Sequence, residues 1–134
     1  MKCLIVEDDF ASKELLRAYM KDCADCHTAS DGRQAVEAFL DGLEENEPYD
    51  LILLDIMMPE VNGREALQEI RWIEAEHGIE GLDAVKVIMT TALDDSKNIL
   101  GSFREGCEAY VVKPVEKDKL FAEIEKLGLL SFSR

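Results

Sequence analysis

The sequence has no long apolar run and little positive charge. No uninterrupted apolar stretch exceeds four residues, as in Cys3-Leu4-Ile5-Val6 and Leu51-Ile52-Leu53-Leu54, which leaves no candidate for a transmembrane span or a secretory h-region. The expected compartment is the cytoplasm. Lys and Arg number 15 against 29 Asp and Glu, a net charge of -14. Nucleic acids and anionic membrane leaflets both recruit cationic surfaces, so direct binding to either is disfavoured. A partner with a basic patch, or a divalent cation, suits this charge better. Cysteine is also sparse, with Cys3, Cys23, Cys26 and Cys107 only. Cys23-Ala24-Asp25-Cys26-His27 matches the CxxCH string of haem attachment. Haem attachment requires export, and a zinc site would need a second ligand pair that His77 alone does not supply. The spacing is therefore read as fortuitous, the cysteines closing one helix and opening the next strand.

What is present is enough apolar material to fold. With 134 residues, 47% of them hydrophobic and 33% charged, the chain suits one domain with a real core rather than an acidic disordered tail. Short apolar runs at residues 3–6, 26–29, 51–54, 85–89 and 109–112 alternate with segments whose apolar residues recur at spacings of three and four. Those segments are Leu15, Leu16, Tyr19, Cys23; Ala35, Val36, Phe39, Leu40, Leu43; Ala66, Leu67, Ile70, Ile73; Ile99, Leu100, Phe103; and Leu120, Phe121, Ile124, Leu127. Four of the runs are nearly continuous, as strands covered on both faces are, whereas Cys26-His27-Thr28-Ala29 is polar enough to be an edge strand. The alternation predicts a five-stranded parallel sheet with helices on both faces. Asp31-Gly32 and Asn62-Gly63 read as turns into the second and third helices, and Gly106 as a helix stop.

In such a sheet, function collects at the carboxyl ends of the strands. There the sequence has Glu7-Asp8-Asp9, Asp55, Thr90-Thr91 and Lys113-Pro114. Carboxylates that converge repel one another unless a cation neutralises them, and Mg²⁺, which prefers oxygen ligands, is the natural choice. A metal, a lysine and a hydroxyl around a carboxylate make a site for a phosphoryl group, with Asp55 as the candidate nucleophile. Of the three acids, counting seven residues forward from Asp8 to Leu15, taken as the first buried residue of the first helix, favours Glu7 and Asp8 as the metal pair, and Asp9 reads as a helix cap or first-turn acid in preference to a third metal ligand. Met57 and Met58 read as padding, since Mg²⁺ rejects thioether sulfur, and Trp72 as an exposed aromatic without a role.

Leu4-Ile5-Val6-Glu7-Asp8-Asp9, Leu53-Leu54-Asp55-Ile56-Met57-Met58-Pro59, Asn62-Gly63, Thr91-Ala92 and Tyr110-Val111-Val112-Lys113-Pro114, in that order, resemble a CheY-like receiver domain of two-component response regulators. The resemblance covers residues 2 to about 127. It implies a flavodoxin-like (βα)5 doubly wound α/β fold with strand order 2-1-3-4-5, residues 1–127 forming the receiver and 128–134 a short C-terminal tail. It further implies that Asp55 accepts a phosphoryl group from a sensor histidine kinase or phosphotransfer protein. Glu7, Asp8, Asp55 and the backbone carbonyl of Met57 would hold Mg²⁺. Lys113 would pair with the phosphoryl oxygens ahead of a cis Pro114, and Thr91 and Tyr110 would switch together. That switch would present a surface of the fourth helix, fifth strand and fifth helix to a downstream protein. The expected entity is a stand-alone regulator, monomeric or weakly dimeric, that assists its own phosphorylation and dephosphorylation without being an enzyme in the usual sense.

Met57 and Leu93, two residues after Asp55 and Thr91, orient water poorly, so the phosphorylated form is expected to be long-lived. Two other classes compete. A haloacid-dehalogenase-type phosphatase would want an Asp where Met57 stands. A flavodoxin-like flavin carrier would want a phosphate-binding loop where Glu7-Asp8-Asp9 stands. A pseudo-receiver that only binds partners is opposed by the intact Asp55, Thr91 and Lys113.

Overall fold

The computed structural model describes residues 1–58, 61–92 and 96–129. Among them, five strands alternate with five helices: β1 Lys2–Val6, α1 Phe10–Met20, β2 Asp25–Ala29, α2 Gly32–Glu44, β3 Leu51–Asp55, α3 Gly63–Glu76, β4 Lys86–Thr91, α4 Ser96–Arg104, β5 Ala109–Val112 and α5 Lys117–Lys126. A 3₁₀ turn at Gly81–Asp83 precedes β4. All strand pairings are parallel, in the order β2-β1-β3-β4-β5. This is the flavodoxin-like doubly wound arrangement that the sequence led us to expect, with the polar β2 at an edge. No helix among the described residues is long and apolar enough to cross a membrane.

The period-two alternation of strands explains why the central runs are apolar throughout. Cys3, Ile5, Leu51, Leu53, Ile88 and Val111 pack on one face against Leu16 and Met20 of α1 and Leu120 and Ile124 of α5. Leu4, Val6, Ile52, Leu54, Val87 and Met89 pack on the other against Phe39 of α2 and Ala66, Leu67, Ile70 and Ile73 of α3. Each fully buried Leu or Ile contributes roughly 1.5–3 kcal/mol. The result is a sheet packed on both faces, from which the strand ends project.

Side-chain caps set where three helices start. Asp9 accepts from the Ser12 N–H at 2.9 Å and Asp31 from Gln34 N–H at 2.8 Å. Asn62 accepts from Glu65 N–H at 3.0 Å while the Glu65 carboxylate accepts from Asn62 N–H at 3.1 Å, a reciprocal capping box. Gly106 ends α4 with φ +106°, a backbone conformation that residues with a Cβ rarely adopt.

The structure departs from the sequence reading in three places. β4 runs Lys86–Thr91 and β3 Leu51–Asp55, so Thr90, Thr91 and Asp55 belong to the strands and are buried; β-branched threonine suits a strand end as well as a loop. Leu15 is exposed and Leu16 is the buried residue of that pair, so the first buried position of α1 lies one residue later than the leucine spacing predicts. In α4 the apolar residues do not form the buried face: Leu100 is 61% and Phe103 43% exposed, while Gly101 and Ser102 are buried. Small residues face inward because the Arg64 guanidinium lies against Gly101, where a Cβ would overlap it. From there Arg64 pairs with Glu105 and donates to Asn98 Oδ1 at 3.0 Å, binding α4 to the start of α3.

At the end of the sheet where β4 begins, a partly buried Arg71 donates to the Gly106 carbonyl, to the Val85 carbonyl at 2.8 Å, and to Glu74 at 2.7 Å and Glu108 at 3.1 Å. The two carboxylates in turn accept from Val85 N–H at 2.7 Å and Val87 N–H at 2.6 Å. One arginine thus joins α3, β4 and the α4–β5 connection.

Candidate active site at the carboxyl ends of the strands

The site is assembled from strand ends. Glu7 and Asp8 directly follow β1, Asp55 is the last residue of β3, Thr91 the last of β4, and Lys113 follows β5. Register places Val6 beside Leu54 and Asp55 beside Thr90, so the ends of these strands open at one level. Carboxylate oxygens of Glu7, Asp8 and Asp55 all lie within 4.8 Å of one another. Glu7 and Asp55 are buried and Asp8 is exposed, so the cluster is closed on the protein side and open to solvent at Asp8.

Lys113 is the cation that faces this cluster. Its Nζ stands 2.6 Å from Glu7 Oε1 and 3.2 Å from Asp55 Oδ2. Burial alone would lower its pKa, but hydrogen bonding to Glu7 and the charges of Asp55 and Glu7 raise it instead, so it stays protonated. The other Glu7 oxygen accepts from Asp9 N–H at 3.1 Å, which fixes the carboxylate. Asp9 itself turns to Ser12 as a cap, and those hydrogen bonds hold its pKa low. The Lys113–Pro114 peptide bond is cis, as expected.

Asp55 feels too little compensation. Burial, then the neighbouring Glu7 charge, push its pKa up to about 7, with Lys113 opposing. One ammonium cannot offset three carboxylates. The donors are oxygen atoms only, which suits a hard divalent cation such as Mg²⁺ and not a soft metal. The residues therefore fit the cation that the sequence implied.

The remaining predicted residues sit around this cluster. Met57 N–H donates to Asp55 Oδ1 at 3.3 Å, while its side chain is exposed. Thr91 is buried, and its hydroxyl donates to its neighbour's carbonyl, Ala92 O, at 3.3 Å. Tyr110 points outward, 40% exposed, with its ring edge-on to Phe103 at 6.1 Å between centroids. Pro59 and Leu93 lie outside the described residues, as do residues 130–134 of the expected tail.

Two features escaped the sequence. The Glu7–Lys113 ion pair joins residues from opposite ends of the chain and is closer than the expected Lys113–Asp55 contact. Gly63, read only as a turn residue, is needed for approach: a Cβ there would run into the Asp55 carbonyl. Its N–H donates to Ile56 O at 2.9 Å, so α3 starts against the end of β3 and braces Asp55 from behind.

Comparison with known proteins agrees with this geometry. The family model for the response regulator receiver domain matches residues 3–125. The chain is 32% identical over 126 residues to transcriptional regulatory protein ResD of Bacillus subtilis, covering 94% of this chain and 47% of ResD. It is 34% identical over 128 residues to the CpxR homolog of Haemophilus influenzae, covering 94% of this chain and 49% of that protein. The chain thus spans about half the length of these curated relatives. Among solved structures, the receiver domain of the Saccharomyces cerevisiae response regulator Ssk1, crystallised with the histidine phosphotransfer protein Ypd1, superposes with a TM-score of 0.81 at 25% identity, covering 96% of this chain and 88% of that one. The Mg²⁺ complex of the receiver domain of the Arabidopsis thaliana histidine kinase CKI1 gives 0.78 at 25% identity, covering 92% and 90%. By sequence and by fold, the chain belongs to the response regulator receiver domain family.

Proposed function

We propose that residues 1–127 form a phosphoryl-accepting receiver in the cytoplasm, with Asp55 as the acceptor and a histidine kinase or phosphotransfer protein as the donor. The observation that carries this reading is a buried Asp55 in a carboxylate cluster with Lys113 Nζ at 3.2 Å. An Asp55 oxygen attacks the phosphorus of a phosphohistidine. The new O–P bond replaces the P–N bond, and the imidazole leaves and takes up a proton. Lys113 balances charge on the transferred phosphoryl oxygens, and Met57 N–H, already on Asp55, orients the attacking carboxylate. Glu7, Asp8, Asp55 and the Met57 carbonyl would hold Mg²⁺, which when bound supplies positive charge to the phosphoryl oxygens. The crystallised Ssk1–Ypd1 and CKI1–Mg²⁺ relatives support both the donor class and the metal.

Phosphorylation is read out by association with a protein. Thr91 leaves its Ala92 contact for the phosphoryl group, and Tyr110 turns inward from Phe103. The surface so altered borders a cleft of about 760 Å³ lined by Phe103, Tyr110, Pro114 and Ala122 on the α4, β5 and α5 side. The net charge of -14 supports a protein target in preference to nucleic acid or membrane, with the domain itself a monomer or weak dimer. The receiver assists its own phosphorylation and dephosphorylation.

Intact mass after incubation with Mg²⁺ and acetyl phosphate tests this, with Asp55→Ala alongside. A single Mg²⁺-dependent phosphoryl adduct that Asp55→Ala lacks is the expected result. No adduct on folded, metal-binding protein would favour a module that only binds partners.

A further inference from the structure

Three of the four cysteines gather at the end of the sheet opposite Asp55. Cys3 near the start of β1 and Cys26 near the start of β2 are direct register partners in adjacent parallel strands. Both pack on the same face of the sheet, in the cluster that also receives Cys23. Neighbouring strands lie about 4.8 Å apart. That falls within the Cα separation of roughly 4.4–6.8 Å that a disulfide spans. Cys107 belongs to the core on the other face.

The three thiols differ in surroundings. Cys3 is fully buried, whereas Cys26 is half-buried on the edge strand and walls an open cavity of about 380 Å³. Arg17 and Lys21 stand on that cavity with Glu14 and Asp25. Cys23 turns its thiol to the Met20 carbonyl at 3.4 Å. We propose that Cys26 is a peroxide-reactive thiol and that Cys3, directly across the strand pair, is its resolving partner.

The titration behaviour agrees with these roles. The Cys26 thiol donates to the Ala24 carbonyl at 3.7 Å, and the neighbouring Cys3 thiol, with help from Arg17 and against burial and Asp25, brings its pKa down to about 7. Cys3 moves the opposite way, first through the neighbouring Cys26 and then through burial, and Cys23 is raised by burial. The accessible sulfur is thus the more readily ionised of the two.

The chemistry balances with a peroxide as oxidant. The Cys26 thiolate attacks the O–O bond of hydrogen peroxide, taking one OH to become a sulfenic acid and releasing hydroxide. The Cys3 sulfur then attacks the Cys26 sulfur, forming the S–S bond, while the expelled OH leaves with the Cys3 proton as water. Two thiols lose two electrons, and the peroxide ends as water. The bond would tie the edge strand to its neighbour. The proposal does not depend on the phosphoryl chemistry at the other end of the sheet.

The test treats the reduced full chain with stoichiometric hydrogen peroxide, blocks the remaining thiols, and reads intact mass and linked peptides. Wild type is expected to lose two hydrogens with a Cys3–Cys26 link that dithiothreitol reverses. Cys23→Ser should behave as wild type, and Cys26→Ser should lose the response. Cys3→Ser in excess dimedone should stop at a trapped sulfenic acid on Cys26. A Cys23–Cys26 link in wild type, oxidation spread equally over Cys107, or no mass change would overturn the proposal. The wild-type peptide map decides the pairing even if Cys3→Ser, at a buried position, does not fold.

Discussion

Asp55→Asn should stabilise the metal-free protein, and the size of the effect should depend on pH in a defined way. The wild-type carboxyl is held at about 7 in the folded state against an ordinary 3.8, first by burial and then by the Glu7 charge. Because the folded pKa is the higher one, the folded state binds the proton more tightly. The contribution of this carboxyl is therefore fully present below pH 4 and is lost as pH rises to 7. With 1.36 kcal/mol per unit, a shift of about three units corresponds to a loss of at most about 4 kcal/mol above pH 7 and under about 1 kcal/mol at pH 4. Asparagine keeps the shape and removes the charge, and Lys113 retains Glu7 at 2.6 Å, so no buried cation is left unpaired. Urea unfolding with chelator, followed by circular dichroism because the single Trp72 is exposed, should show the variant more stable by roughly 2–4 kcal/mol at pH 8 and near parity at pH 4. A variant less stable than wild type at pH 8, or a difference that does not change with pH, would refute the reasoning.

Mg²⁺ should raise the wild-type melting temperature at pH 7.5 in proportion to the logarithm of its concentration above Kd, and Asp8→Ala should abolish the gain. An unchanged gain in Asp8→Ala would remove that residue from the metal set. Arg71→Met should cost about 3 kcal/mol or more in urea unfolding, because it strands the buried Glu74, and Arg71→Met with Glu74→Gln should recover part of the loss. Equal losses in the single and double variants would show that the charge pairing is not the cause. Met57→Asn with Leu93→Glu should shorten the lifetime of the phosphorylated form by giving water a polar guide, and an unchanged decay rate would dismiss that role.

Much of the fold was readable because both faces of the central strands are covered. Leu51 to Leu54 could hardly be anything but a buried strand, and the polar run Cys26-His27-Thr28-Ala29 marked β2 as an edge. That Asp8, Asp55 and Lys113 come together was legible for the same reason: strand ends of a parallel sheet open at one level, so residues at or just past them converge. What stayed hidden was pairing at a distance. Neither Glu7–Lys113 nor the Arg71–Glu74–Glu108 network leaves a periodic trace, since each depends on which surfaces the topology brings together. In α4, Ile99, Leu100 and Phe103 show helical spacing but not which side meets the core; Arg64 against Gly101 settles that, and Leu100 and Phe103 face outward with Ile99 half-buried. The one-residue error at Leu15 had the same origin, because adjacent leucines satisfy a helical period equally well.

The central claim is that a phosphoryl group resides on Asp55, and the most direct measurement captures that bond chemically. Protein phosphorylated in Mg²⁺ is reduced with borohydride, which converts an aspartyl phosphate to homoserine, and is then sequenced by peptide mass spectrometry. The account predicts homoserine at position 55 and at no other acidic residue. Unmodified Asp55, with homoserine at Asp8 or elsewhere, would contradict it.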